Sequence, residues 1–324
     1  VHLFSVLMWL LMKKLFPDNQ MIRFLLKLLI ITSLIMIFDR GIGSVLRIFY
    51  FRQESGTCYR TTYSVDSTLA DILVIGSSRA NHGYVPEIFE NKLSSSFYNT
   101  GKDGNYILYN YAIFKAITKR YNPKMIILDI RPEDLAYNAY EYDRLSLLLP
   151  YYQTHPETAE IVNLKGPFEK IKLVSAIYPY NSMIFRIVMG NLEYNKKREM
   201  DDNGYVPFFH TMQYERIDTL QSAILPADEH KIDALSDIIS VCQQKNIDLI
   251  FVFSPIWLII EDNLRDTIIP NLCSQNGMTY LNMSDDSTFI NNPEYFSDRN
   301  HLNDVGARVF SSLLIEKIIE ADIY

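Results

Sequence analysis

Cysteine is scarce in this chain: Cys58, Cys242 and Cys273 are the only three in 324 residues. They lie far apart with no C-x-x-C spacing, which argues against a zinc site, and an odd count cannot complete a disulfide framework. Cys242 and Cys273 fall in two predicted helices and are expected to be buried, inert thiols. Glycine is also sparse, with 12 residues, and no G-x-G-x-x-G turn follows the first predicted strand, so dinucleotide binding is disfavoured. There is no Lys/Arg-rich block, and the net charge is -7, so no nucleic-acid partner is expected. Internal repeats and low-complexity tracts are absent as well.

What the chain has is apolar and aromatic mass. Hydrophobic residues make up 48%, including 22 Tyr and 18 Phe, which is enough for one large domain or two small ones.

The longest apolar run is "FLLKLLIITSLIMIF", from Phe24 to Phe38, interrupted only by Lys27 near its start. Its unbroken core, Leu28 to Phe38, is shorter than the ~20 residues that span a bilayer. Met21 and Ile22 extend it, and Lys27 can snorkel to the interface. The run is apolar on every side, unlike a soluble surface helix. An uncleaved membrane anchor is therefore expected, against a buried core helix or a cleaved signal with Gly41-Ile42-Gly43 as its site. Asp39 and Arg40 interrupt where such a signal stays neutral. Met21 is a candidate start, and charges on the two sides do not fix the orientation. Residues 53–69, "QESGTCYRTTYSVDSTL", are polar without a helical period and read as a linker, so a chain starting near Ser55 is expected to fold alone.

Strands and helices then alternate. "DILVIG" (Asp71 to Gly76) is a continuous apolar run, as for a buried parallel strand. A helix near Pro86 to Leu93, the strand "SFYNTG", a helix from Asn110 to Tyr121 and the strand "KMIILDI" (Lys124 to Ile130) follow. The pattern resumes downstream with the helix "KIDALSDIISVCQQKN", the strand "IDLIFVFSP" (Ile247 to Pro255) and the helix "DNLRDTIIPNLCSQNG", which Gly277 stops. The strand "MTYLNMS" and a last helix from about Asp304 to Glu320 complete it. The expected fold is α/β, with a five-stranded parallel doubly wound sheet. The implied divisions are an anchor region at 1–52, a linker at 53–69, and one domain at 70–324 with a mostly helical insertion at about 134–231. That insertion is rich in Tyr, Pro and Phe, leaves the third strand's carboxyl end, and reads equally as a substrate lid or sugar-stacking wall and as a structural subdomain with its own core. Tyr151, Tyr152 and Tyr180 are its candidate substrate contacts.

Three polar segments are expected to meet at the carboxyl edge of the sheet: Gly76-Ser77-Ser78, the stretch Tyr98 to Gly104, and "YFSDRNHLNDVGA" (Tyr295 to Ala307). A serine hydroxyl needs a base to become a nucleophile, and the base needs an orienting partner. Asp298 and His301, three apart, form such a pair, and the Ser78 and Gly104 N–H groups are candidate oxyanion donors. His82 lies near Ser78 but shows no evident aspartate orienter. His2, His155, His210 and His230 lack motif context. From the residues alone, either Ser77 or Ser78 is the nucleophile.

The ordered set resembles the SGNH hydrolase superfamily, the GDSL-like esterases. The family's Gly-Asp-Ser block reads Gly76-Ser77-Ser78 here, so the resemblance puts the nucleophile on Ser78 and leaves Ser77 to hydrogen-bond within the turn. The Asn-x-x-x-x-Gly block falls on Asn99 and Gly104, and the terminal Asp-x-x-His on Asp298 and His301. It covers about residues 70–133 and 232–322, and implies a flavodoxin-like three-layer α/β/α sandwich. The family's third block, Gly-x-Asn-Asp, is replaced by "LDIRPEDL" (Leu128 to Leu135), which lacks the asparagine that donates to the oxyanion. Arg79, Asn81, Asn105 and Arg131 are the candidates to replace it. The resemblance implies a membrane-anchored serine esterase or O-acyl transferase with catalytic Ser78, His301 and Asp298. Its oxyanion hole would be built from Ser78 and Gly104, with Asn105 as a further candidate. It would use no metal or cofactor and act outside the cytoplasm, on the periplasmic side, on an acylated carbohydrate or other envelope polymer. The other class in play is a non-catalytic envelope assembly protein of the same fold that binds a polymer.

Overall fold

The computed structural model describes residues 20–192, 202–213, 218–220, 226–260 and 267–323. A five-stranded, all-parallel sheet is formed by β1 (Ile72–Ile75), β2 (Phe97–Asn99), β3 (Met125–Asp129), β4 (Asp248–Phe253) and β5 (Thr279–Asn282), in the order β2-β1-β3-β4-β5. Every residue of β1 and β3 is buried, as a strand covered on both faces must be. Because side chains alternate along a strand, these runs divide between two cores. Leu73, Ile75, Ile126, Leu128, Leu249 and Phe251 belong to one cluster, while Ile72, Val74, Met125, Ile127, Ile250 and Val252 belong to the other.

Helices close both faces. On the first side lie α5 (Ile107–Arg120), α6 (Glu229–Lys245) and α7 (Ile268–Asn276), which bury Phe114, Ile117, Leu235, Ile239 and Ile269. On the second lie α3 (Ser78–Gly83), α4 (Pro86–Leu93) and α8 (Asp304–Glu320), which bury Ala80, Phe89, Phe310 and Leu314. Cys242 and Cys273 are buried free thiols, pushed up to about 12 by burial. Gly277 ends α7 in the left-handed conformation.

The apolar N-terminal run sits in α1 (Gln20–Phe51), one unbroken helix of 32 residues, about 48 Å long at 1.5 Å per residue. Among the described residues it is the one helix long and apolar enough to cross a membrane. Its lower part exposes Met21, Phe24, Leu29, Ile35 and Phe38, whereas its upper part docks on the domain. Asp39 accepts from Ser175 Oγ at 2.5 Å and Ala176 N–H at 2.7 Å, and Arg40 donates to Val174 O at 2.8 Å.

Two expectations need correction. Most of 53–69 is not a linker: α2 (Gly56–Asp66) is a helix packed into the first core through Cys58 and Val65. Its inward face is completed by Thr61 and Ser64, whose hydroxyls donate back to Thr57 O and Arg60 O, so a helical period exists that apolarity alone does not reveal. A chain starting at Ser55 would also lose Tyr50, which is fully buried against Tyr151 and Tyr180.

The described residues of the insertion include helices at Ala139–Arg144, Pro156–Val162, Glu169–Lys172 and Ile184–Asn191. Of the three tyrosines expected as substrate contacts, two are core residues. Tyr151 and Tyr180 are buried in the first core, and Tyr152 is half-buried with its hydroxyl on Asn163. A short strand within it, Asp218–Leu220, pairs in parallel with Leu258–Ile260, a pairing that three-residue segments give no pattern to foresee.

Candidate functional site

β1 delivers Gly76-Ser77-Ser78 to a turn that opens directly into α3. The turn is tight enough that a Cβ on Gly76 would lie 2.7 Å from the Ala80 Cβ, so only glycine fits there. Ser78 is the first residue of α3, where its N–H has no helical carbonyl to accept it. Ser77 caps the helix without a side-chain hydrogen bond, and its hydroxyl is buried with no partner. The expected bond from Ser77 within the turn is therefore not made among the described residues.

The histidine arrives on a two-stranded antiparallel hairpin, Phe296–Asp298 with His301–Leu302. Asp298 closes this hairpin by accepting from the N–H groups of Asn300 at 2.8 Å and His301 at 3.1 Å. The same carboxylate meets His301 Nδ1 at 2.8 Å. Burial would raise the Asp298 carboxyl, but the His301 bond and charge and the two N–H groups hold it below its ordinary value. The other ring nitrogen, His301 Nε2, lies 2.7 Å from Ser78 Oγ. Both flanks of the hairpin are tied down: Trp257 N–H donates to Arg299 O, and Asn303 Nδ2 donates to Glu294 O.

The loop after β2 is held against α3. Asn99 Nδ2 donates to Ala80 O at 2.7 Å while its Oδ1 accepts from Gly101 N–H at 2.9 Å. Gly104 has φ +64, a left-handed conformation that favours glycine. Lys102 N–H donates to Gly76 O at 3.2 Å, which seats this loop beside the serine turn.

Each of the four proposed substitutes for the third-block asparagine bonds a partner other than the serine. Arg79 is buried and bridges Asp129 at 3.0 Å and Asp134 at 3.2 Å. Arg131 bonds Asp134. Asn81 donates to Asp103 and accepts from Arg60, and Asn105 donates to Asp103 O at 2.8 Å. Arg79, Asp129, Asp134 and Tyr84, whose hydroxyl donates to Asp129 at 2.8 Å, form one buried network. It ties α3 to the carboxyl end of β3. Burial would raise the Asp134 carboxyl, and the guanidinium groups of Arg79 and Arg131 pull it down instead.

His82 does have an aspartate. Its Nε2 lies 3.1 Å from Asp103 Oδ1, and its Nδ1 lies 2.6 Å from Val206 O. Asp103 is 21 residues away in sequence, and only the return of β2 beside β1 brings it close. The Phe208 ring stacks on His82 at 3.8 Å, and both rings meet His301 edge-on, at 5.8 and 5.7 Å. Phe208 had no signal in the sequence beyond its place in an aromatic run. His210 also acquires a partner, Ser297 Oγ at 2.6 Å. Among the described residues no cluster of His, Cys, Asp and Glu is placed to hold a metal.

No protein-family model matches this chain, and no curated protein matches it.

Proposed function

We propose that the protein is a membrane-anchored serine esterase or O-acyl transferase of the SGNH type, acting on an acylated carbohydrate or other envelope component. The observation that carries this reading is the line Ser78 Oγ, His301, Asp298, with 2.7 Å on one side of the imidazole and 2.8 Å on the other. The strand order β2-β1-β3-β4-β5 supports it, being that of flavodoxin-like sheets whose ligands sit beyond the strand carboxyl ends.

In the mechanism, Ser78 Oγ attacks the acyl carbon while His301 Nε2 takes its proton. Asp298 holds the Nδ1–H tautomer and stabilises the imidazolium. The Ser78 and Gly104 N–H groups donate to the oxyanion. The tetrahedral intermediate collapses, and the leaving alcohol takes the proton from His301. Water or a second alcohol then repeats the sequence on the acyl-serine.

The membrane assignment rests on α1 and on its neighbours. Phe168, Ile171, Val174, Phe185 and Leu192 of the insertion are exposed, and the insertion meets the helix where Arg40 donates to Val174 O and where Asn191 Nδ2 donates to Phe49 O. An extracytoplasmic domain follows from the envelope substrate class. A non-catalytic, polymer-binding role is the second reading, favoured by the engagement of all four candidate third donors elsewhere.

A fluorophosphonate probe separates the two. Wild type should be labelled, and Ser78→Ala and His301→Ala should each abolish labelling and lower turnover by several orders of magnitude, with little added by combining them. Folded wild-type protein that resists the probe and hydrolyses no ester would leave the binding role.

A further inference from the structure

One stretch of the insertion, residues 203–212, is bonded to the elements that surround Ser78 and His301 while forming neither helix nor strand itself. Asn203 O accepts from Asn99 N–H of β2 at 2.9 Å, and Val206 N–H donates to Asn81 O of α3 at 3.0 Å. Phe208 O accepts from Asp304 N–H, at the start of α8, at 2.7 Å. Met212 N–H donates at 2.8 Å to Phe296 O, on the hairpin that carries Asp298 and His301. Backbone groups are costly to leave unpaired once buried, so these bonds fix the stretch against the site.

The stretch brings one aromatic ring to the base. Phe208 is half-buried, stacks on the His82 ring at 3.8 Å and 23°, and meets the His301 ring at 5.8 Å and 81°. His301 Nε2 is itself 2.7 Å from Ser78 Oγ, so Phe208 is one contact away from the nucleophile. His82 is buried and held at both ring nitrogens. Its Nδ1 donates to Val206 O at 2.6 Å, since a carbonyl only accepts, and its Nε2 lies 3.1 Å from Asp103 Oδ1. An imidazole fixed at both ends cannot turn, and it makes a flat, rigid support for the Phe208 ring. A wall ordered in advance loses little entropy when a ligand meets it.

In acyl transfer the carbonyl oxygen turns to the oxyanion donors, whereas the alcohol oxygen must come within hydrogen-bond reach of His301 Nε2, which returns the proton to it. The alcohol part of the ester therefore lies on the histidine side of the serine, and Phe208 flanks that histidine. A benzene ring offers a broad apolar face, which suits the C–H face of a cyclic alcohol and gives water or a short alcohol little to hold. We propose that Phe208 is the residue by which the protein selects the alcohol portion of its ester, favouring a ring-bearing alcohol such as a pyranose, and that His82 positions it. The proposal rests on the acyl-transfer reading and extends it from the reacting atoms to the group they act on. In the second step the same wall favours a cyclic alcohol over water as acceptor of the acyl group. The insertion thus meets the substrate through Phe208, and Tyr151 and Tyr180 stay in the core.

The test compares two series of esters on the full-length protein in neutral detergent micelles. Ethyl and cyclohexyl acetate share an acyl group and differ in the alcohol, whereas p-nitrophenyl acetate, butyrate and octanoate share the alcohol and differ in the acyl chain. Phe208→Ala should lower kcat/KM for cyclohexyl acetate about tenfold more than for ethyl acetate, the size of one lost aromatic contact, and leave the ranking of the acyl series unchanged. Phe208→Leu keeps an apolar side chain in the packing and should show the same shift in smaller measure, while Phe208→Tyr should retain the wild-type preference. His82→Gln should reproduce the loss of alcohol preference, and adding it to Phe208→Ala should change little, because both act on one wall. If His82→Gln lowers every ester alike, its role is structural and the positioning claim falls. Fluorophosphonate labelling tells the two levels apart. A wild type that labels, with an alcohol preference that Phe208→Ala and Phe208→Leu leave unchanged, overturns the proposal while the serine mechanism stands, as does a change confined to the acyl series. A wild type that neither labels nor hydrolyses any ester removes the acyl-transfer reading, and the proposal with it.

Discussion

Ser77 and Ser78 are adjacent and chemically alike, yet one hydroxyl faces a histidine and the other faces nothing. A buried hydroxyl without a partner carries an uncompensated desolvation cost. Ser77→Ala is thus expected to leave stability unchanged or raise it by about 1 kcal/mol, and to spare probe labelling. Denaturant unfolding measures the first, and a clear loss of stability would reveal a bond that Ser77 makes. Asp298→Asn should fold normally but react slowly, since the amide no longer fixes the Nδ1–H tautomer. Lys102 makes a second prediction with a definite sign. Its folded value near 7 lies below the ordinary lysine value of 10.5, so between these limits the unfolded chain binds more protons. Stability from this group therefore rises with pH across that window and is lowest below it. Lys102→Met should flatten the stability profile between about pH 7 and 10.5, read by chemical denaturation at several pH values. At this scale the sequence was informative for Ser78, Asp298 and His301, whose spacing and order placed them at one sheet edge. It was silent on His82, because Asp103 reaches it only through the pairing of β1 and β2.

At the scale of elements, legibility followed burial chemistry. β1, β3 and β4 are nearly continuous apolar runs covered on both faces, so their order and limits were readable within a residue or two. The helix α2 was not, since half of its inward face is hydroxyl-bearing and satisfied by its own backbone. The tyrosines of the insertion were ambiguous for a different reason: an aromatic ring suits a sugar face and a core equally. Burial decides for the core at Tyr151, which meets Tyr50 and Phe51 edge-on and whose hydroxyl pairs with Thr62 at 2.7 Å. Tyr151→Ala should cost about 3–5 kcal/mol, the usual result of emptying a large aromatic site. Activity on a polymer and on a small p-nitrophenyl ester should fall together, following the loss of folded protein. A selective loss on the polymer would return Tyr151 to the substrate.

For the whole molecule, α1 is both a candidate membrane span and a structural part of the domain. Full-length protein should stay with membranes through carbonate and high-salt washing, and release by either would refute the span. Where the helix is cut should matter. A chain beginning at Asp39 keeps Tyr50 and the contacts to Ser175 and Ala176, whereas one beginning at Ser55 empties the space between Tyr151 and Tyr180. The first should unfold cooperatively, and the second should melt at a clearly lower temperature, as thermal denaturation followed by circular dichroism would record.

Because α1 runs without a break from the exposed apolar stretch to the buried Tyr50, nothing between them acts as a hinge. The stretch from Phe38 to Phe51 is about 20 Å of rigid rod, clamped to the insertion at Asp39 and Arg40. A domain on a flexible tether sweeps a volume and meets esters at many heights above the lipid. Under the proposed function, a domain fixed on a rod would work at a single altitude, so the geometry of the surface as well as the chemistry of the pocket would decide which ester it reaches. Adding a full turn to the rod should move that altitude by about 5 Å without touching a single site residue.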